Sequence, residues 1–107
     1  MKNSYIRLTE QEITSITQNF VKHFGINDHL WIFGSRADPH KKGGDLDLYI
    51  ETNNNSIPDV VEQKIKFLVD LKKSIGEQKV DVIINIKFLN KNLAIYEEAK
   101  NSGVMLI

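Results

Sequence analysis

With 107 residues, 41% of them hydrophobic and 26% charged, the chain fits one folded domain over residues 1–107 and leaves no length for a second. Its 14 Lys and Arg balance 14 Asp and Glu, so no cationic excess is available to grip phosphate backbones, and direct nucleic-acid binding is not expected. Cysteine is absent, which excludes disulfides, thiol catalysis and thiolate metal sites, and neither a signal-like segment nor a membrane-length apolar run is visible, so the expected location is the cytoplasm, away from membranes.

In chain order, Thr9 and Glu12 have the spacing of a capping box and predict a helix start. Ile13, Ile16, Phe20 and Phe24 then recur on one helical face, with Gly25 as a left-handed stop. His29 to Phe33, "HLWIF", is short, aromatic and branched, and reads as a buried strand that runs into the turn Gly34-Ser35. Trp31 belongs to the core on this reading. Pro39, Gly43, Gly44 and two lysines make Asp38 to Gly44 an exposed loop.

Asp45 to Glu51 alternates, with Asp45, Asp47 and Tyr49 on one face and Leu46, Leu48 and Ile50 on the other, so the spacing predicts a strand with one wet face. Pro58 suits the first turn of a second helix, whose Val61, Ile65 and Leu68, continued by Leu71 or Lys72, form its inward face up to Gly76. Lys79 to Asn85 is a further strand, with Val80, Val82 and Ile84 on one face and Asp81 and Ile83 on the other. A short helix over Leu93 to Lys100 and an edge strand near "VMLI" close the chain. The element order gives an α+β class.

Two features carry chemistry. Asp45 and Asp47 lie on one strand face, two rises of ~3.3 Å apart, where their repulsion becomes useful if divalent cations bridge them, and Mg²⁺ favours carboxylate oxygens with water and phosphates. Asp81, on the only other strand offering an acid, would complete a site for two ions, the arrangement that steadies both attacking and leaving oxygens in phosphoryl-type transfer. Gly34 and Ser35, between a strand and a short helix, present backbone N–H groups and a hydroxyl to a phosphate, with Arg36 and Lys41 or Lys42 adding positive charge.

The combination "GSRADPHKKGGDLDL" followed by "VDVII" resembles the polymerase-beta-type nucleotidyltransferase superfamily, specifically the minimal nucleotidyltransferases (MNT) that serve as antitoxins beside a helical HEPN-domain toxin. Its pattern is an apolar residue, G-S or G-G, a spacer, acid-apolar-acid, and a later acid on its own strand; here nine residues separate Ser35 from Asp45. The likeness covers roughly Trp31 to Ile84. It implies a small mixed β-sheet flanked by helices and a transfer of nucleoside monophosphate, most simply AMP from ATP, to a hydroxyl with release of pyrophosphate. Asp45 and Asp47 would bind two Mg²⁺ ions, Asp81 the catalytic one, and Gly34, Ser35 and Arg36 the nucleotide. The acceptor would be a tyrosine of the partner, a HEPN-family protein, in a hetero-oligomer. Many antitoxin members continue G-S-x-A-R-G, whereas this chain has Arg36-Ala37-Asp38-Pro39, which shifts the phosphate contact to Arg36 and the loop lysines. The alternative reading is a non-catalytic antitoxin or nucleotide-binding module that neutralises its partner by complex formation.

Overall fold

The computed structural model describes residues 6–38, 40 and 44–107, so Pro39, Lys41, Lys42 and Gly43, with the contribution expected of the loop lysines, lie outside the described residues. Helix α1 spans Glu10–His23. The capping box closes its start: Glu12 N–H donates to the Thr9 hydroxyl and Thr9 N–H to the Glu12 carboxylate, each at 3.0 Å. Its end differs from expectation. The chain leaves the helix through an extended Phe24, and Gly25 has no positive φ; instead the Gly25 N–H donates to the carboxylate of Asp28 at 2.8 Å. Buried Asp28 also accepts from the Thr52 hydroxyl and the Asn53 N–H, so a side chain rather than a left-handed residue turns the corner.

Strands β1 (His29–Phe33), β2 (Leu46–Thr52), β3 (Val80–Ile86) and β4 (Val104–Met105) form one mixed sheet in the order β3-β2-β1-β4. β1 pairs antiparallel with β2 and with β4, while β2 and β3 run parallel, joined by helix α2 (Ile57–Ile75). Ser56 caps α2, Pro58 sits in its first turn, and Gly76 ends it with φ at 88°. The inward face of α2 is Val60, Phe67 and Leu71, with Leu68 packed beside them; of the face expected from sequence Leu68 and Leu71 turn inward, whereas Val61 and Ile65 are exposed. The helix is apolar along two ridges, and periodicity alone does not say which one meets the sheet.

The core lies mainly between this helix pair and the even-numbered side of the sheet: Ile16, Phe20 and Phe24 of α1 and Phe67 and Leu71 of α2 pack with Leu30, Ile32, Leu46, Leu48, Ile50, Val80 and Val82. Phe20 stacks on Phe24 at 5.0 Å, and both meet Phe67 edge-on. Helix α3 (Ala94–Ser102) covers part of the other side, where Trp31, Phe33, Tyr49 and Ala99 form a smaller cluster with Ile83, Ile95 and Tyr96. β2 therefore does not have one wet face. From Tyr49 onward it is buried on both sides, and only its start at Asp47 stays open. Among the described residues, three α-helices and a four-stranded mixed sheet make this an α+β fold, as expected.

Candidate active site

The β2–β3 register decides whether the acids meet. Asp47 pairs with Asp81, and in a parallel ladder paired residues project from the same face on strands about 4.8 Å apart. Asp45 precedes β2 by one residue and Asp47 by two, about 6.6 Å back along the chain. The three acids thus share the face that α3 leaves uncovered. Asp45 and Asp81 are exposed and Asp47 is half-buried. Burial, then the carboxylates of Asp81 and Asp45, push the Asp47 carboxyl above the ordinary carboxylate value, while Lys79 pulls the other way.

The Gly34 turn adjoins the same spot, because Phe33 is the β1 partner of Asp47. Gly34 has φ at 75°, in the left-handed region, and a Cβ added there would run into the Asp47 carboxylate. Glycine is required twice over, by backbone conformation and by the acid behind it. Residues Gly34–Ala37 form one turn of 3₁₀-helix, the short helix expected from sequence, so the N–H groups of the turn matter here rather than a long helix dipole. Ser35 is half-buried, and its carbonyl accepts from the Asp38 N–H at 3.2 Å.

Arg36 is drawn into the scaffold. Its guanidinium donates to the Gly44 carbonyl at 3.1 Å, the Gln78 side chain at 2.9 Å and the Arg7 carbonyl at 3.3 Å, and lies 4.0 Å from Glu12. It ties the turn, the end of the loop before Asp45 and the α2–β3 turn to the start of α1. Sequence reasoning did not single out Lys79, which directly precedes β3; its ammonium lies 3.8 Å from the Asp45 carboxylate. A lysine two residues before Asp81 shares that residue's strand face, and the signal was available in "KVD".

These residues fit a hard divalent cation by the chemistry of the donors: carboxylate oxygens brought to one face by two adjoining strands and the residue before one of them. As the side chains stand, no group of three among the described residues is gathered round one point.

Tyr49, on the same face one step beyond Asp47, does not present its ring for stacking on a base. It is fully buried against Trp31 and Tyr96, with its hydroxyl donating to Glu51 at 2.7 Å and accepting from the Asn85 amide at 3.0 Å. Glu51 meets Lys100 of α3 at 3.2 Å and Lys87 at 3.9 Å. Burial alone would raise the Glu51 carboxyl, but the Tyr49 hydroxyl and the two lysines hold it below its ordinary value. A cavity of about 70 Å³ beside this network is bounded by Asn85, Lys87, Lys91 and Tyr96. The acid face thus has an open end at Asp45, Asp47 and Asp81 and a closed end at Tyr49 and Glu51 that α3 covers.

The nucleotidyltransferase domain family matches residues 13–105, nearly the whole chain, including the Gly34 turn, all three acids and the strands that carry them. The chain belongs to that family. A search of curated proteins gives no match. Membership places the protein in the polymerase-beta-like superfamily and gives it a general nucleotidyl-transfer chemistry, which in this family uses a nucleoside triphosphate and a divalent metal. No helix among the described residues is long and apolar enough to cross a membrane.

Proposed function

We propose that this nucleotidyltransferase moves AMP from ATP to a hydroxyl of a partner protein. The observation that carries the reading is the pairing of Asp47 with Asp81, with Asp45 two residues earlier and Gly34 packed against the Asp47 carboxylate. In this reading Asp45, Asp47 and Asp81 hold two Mg²⁺ ions, which when bound neutralise phosphate oxygens and polarise the phosphorus they serve. The N–H groups and hydroxyl at Gly34-Ser35 hold the triphosphate, and Arg36 keeps that turn and the Asp45 approach in place. Asp81 accepts the proton as the acceptor oxygen bonds to the α-phosphorus, and the bond from that phosphorus to the pyrophosphate oxygen breaks. Pyrophosphate leaves with the electron pair.

The partner we propose is a helical HEPN-domain protein that donates a tyrosine hydroxyl and is silenced by the modification, so that the pair works as toxin and antitoxin. The test is incubation with α-labelled ATP, Mg²⁺ and a HEPN-domain protein encoded beside it. Label on the partner, lost with Asp47→Asn, is the expected result. No transfer from any of the four nucleoside triphosphates overturns the proposal, and neutralisation that survives Asp47→Asn replaces it with complex formation.

A further inference from the structure

The second ridge of α2 has no role in the core. Ile57, Val61, Ile65 and Val69 follow one another at four-residue steps and are exposed by 49, 51, 57 and 49%. Single exposed apolar residues are ordinary, but four in a continuous row along one 19-residue helix make a surface that water does not favour. A row at four-residue steps is also the ridge that interlocks with its like when two helices cross at about −50°.

We propose that this ridge is the interface of an antiparallel two-fold dimer of the chain. The charges beside it choose a second copy as the occupant. The exposed acids Asp59 and Glu62 lie near the N-terminal end of α2, and the exposed cations Lys72 and Lys73 near its C-terminal end. A two-fold axis at Ile65 sets each Ile65 against its copy and Val61 against Val69. The same axis sets Asp59 of each protomer opposite residue 71 of the other, beside Lys72 and Lys73, and Glu62, which also pairs with the exposed Lys66 of its own helix at 2.9 Å, about one turn further in. An isologous contact of this kind satisfies both ends at once, and a parallel pairing would set like charges together.

The placement leaves the active face free. The inward residues Phe67 and Leu71 of α2 pack on the even-numbered side of the sheet, so the exposed ridge points away from Asp47 and Asp81, which lie on the other side. Each protomer in the pair keeps its acids open. One helix face is a small interface, at the low end of stable assemblies, so the dimer forms and dissociates with concentration.

Sedimentation equilibrium of the whole chain, over about three decades of concentration up to about 1 mM, tests the proposal. The expected mass rises from 12.3 kDa toward twice that value. Ile65→Asp abolishes the rise, as do the paired changes Asp59→Lys with Glu62→Lys, and Lys72→Glu with Lys73→Glu. All four charge changes in one chain restore it, because the antiparallel complement is then reversed at both ends. Circular dichroism of each variant checks folding, and Ile65→Asp, at an exposed position, decides the matter if a charge-changed chain does not fold. A mass of 12.3 kDa throughout overturns the proposal. Association that Ile65→Asp leaves intact, or that the fourfold exchange fails to restore, also overturns it; the ridge then serves a different protein.

Discussion

Asp47→Asn removes one charge from three and leaves the side-chain shape unchanged, so its effect on stability reads the electrostatics of the site directly. The nearest like charge, Asp81, is on the paired residue of a strand about 4.8 Å away, and two unit charges at about 5 Å repel by about 0.8 kcal/mol at the dielectric of water and by more where they are half-buried. Asp45 adds a smaller repulsion at longer range, and Lys79 offsets part of the sum. The net relief at neutral pH is about 1 kcal/mol, which for a domain of this size raises the melting temperature by about 4 °C. The sign follows from the raised carboxyl. A group whose folded-state pKa lies above its unfolded value favours folding while protonated and loses that contribution as pH rises through the folded value. The wild type therefore closes the gap with Asp47→Asn as pH falls toward and below the ordinary carboxylate value. The assay is thermal melting of both proteins in metal-free buffer at pH 7 and pH 4, repeated with Mg²⁺ and ATP, which on the proposed function are expected to stabilise the wild type alone. An Asp47→Asn protein that melts below the wild type at pH 7 refutes the reasoning, since Asp47 would then have a favourable partner in place of two like charges.

Gly34→Ala forces a side chain into left-handed backbone and against the Asp47 carboxylate; it costs about 1–3 kcal/mol and abolishes transfer, and melting with activity measured in parallel checks both. Leu71→Ala costs about 2–5 kcal/mol because it opens a cavity under the sheet, whereas Ile65→Ala on the outer ridge changes monomer stability little; denaturant unfolding at low protein concentration separates them, and equal losses contradict the assignment of the two faces. Tyr49→Phe leaves the Asn85 amide and the Glu51 carboxylate each short of a partner and costs about 1–3 kcal/mol. The lowered Glu51 carboxyl contributes stability above its unfolded value near 4.5, lost as pH falls through the lower folded value; Glu51→Gln should flatten that part of the acid unfolding curve.

The parts of this fold that could be read from sequence are those fixed locally. The Thr9–Glu12 box, the alternation after Asp45 and the placing of Asp81 opposite Val80 and Val82 each follow from one segment, and together they placed three acids before any register was known. What escaped depends on segments meeting. The wet face expected for β2 is dry beyond Asp47 because α3, some fifty residues later, folds over Tyr49, and no pattern within the strand announces that cover. Both ridges of α2 carry apolar residues, the exposed one without a break and the buried one interrupted by Lys64, and only the position of the sheet ranks them. Arg36 reads as a phosphate ligand beside Gly34-Ser35, yet its partners Arg7, Gly44 and Gln78 are remote or in the loop, so its commitment to the scaffold is a tertiary fact. Gly25 suggested a left-handed cap, and Asp28 took that task from outside the helix.

The central claim is that Asp45, Asp47 and Asp81 act as one cation site beside the Gly34 turn. Titrating Mn²⁺ into the labelled protein and following amide resonances by NMR tests it most directly. Selective broadening at residues 34, 35, 45, 47 and 81, abolished by Asp47→Asn, is the expected result. Broadening centred on Glu51 or Asp70, or spread evenly over the acidic surface, contradicts the account.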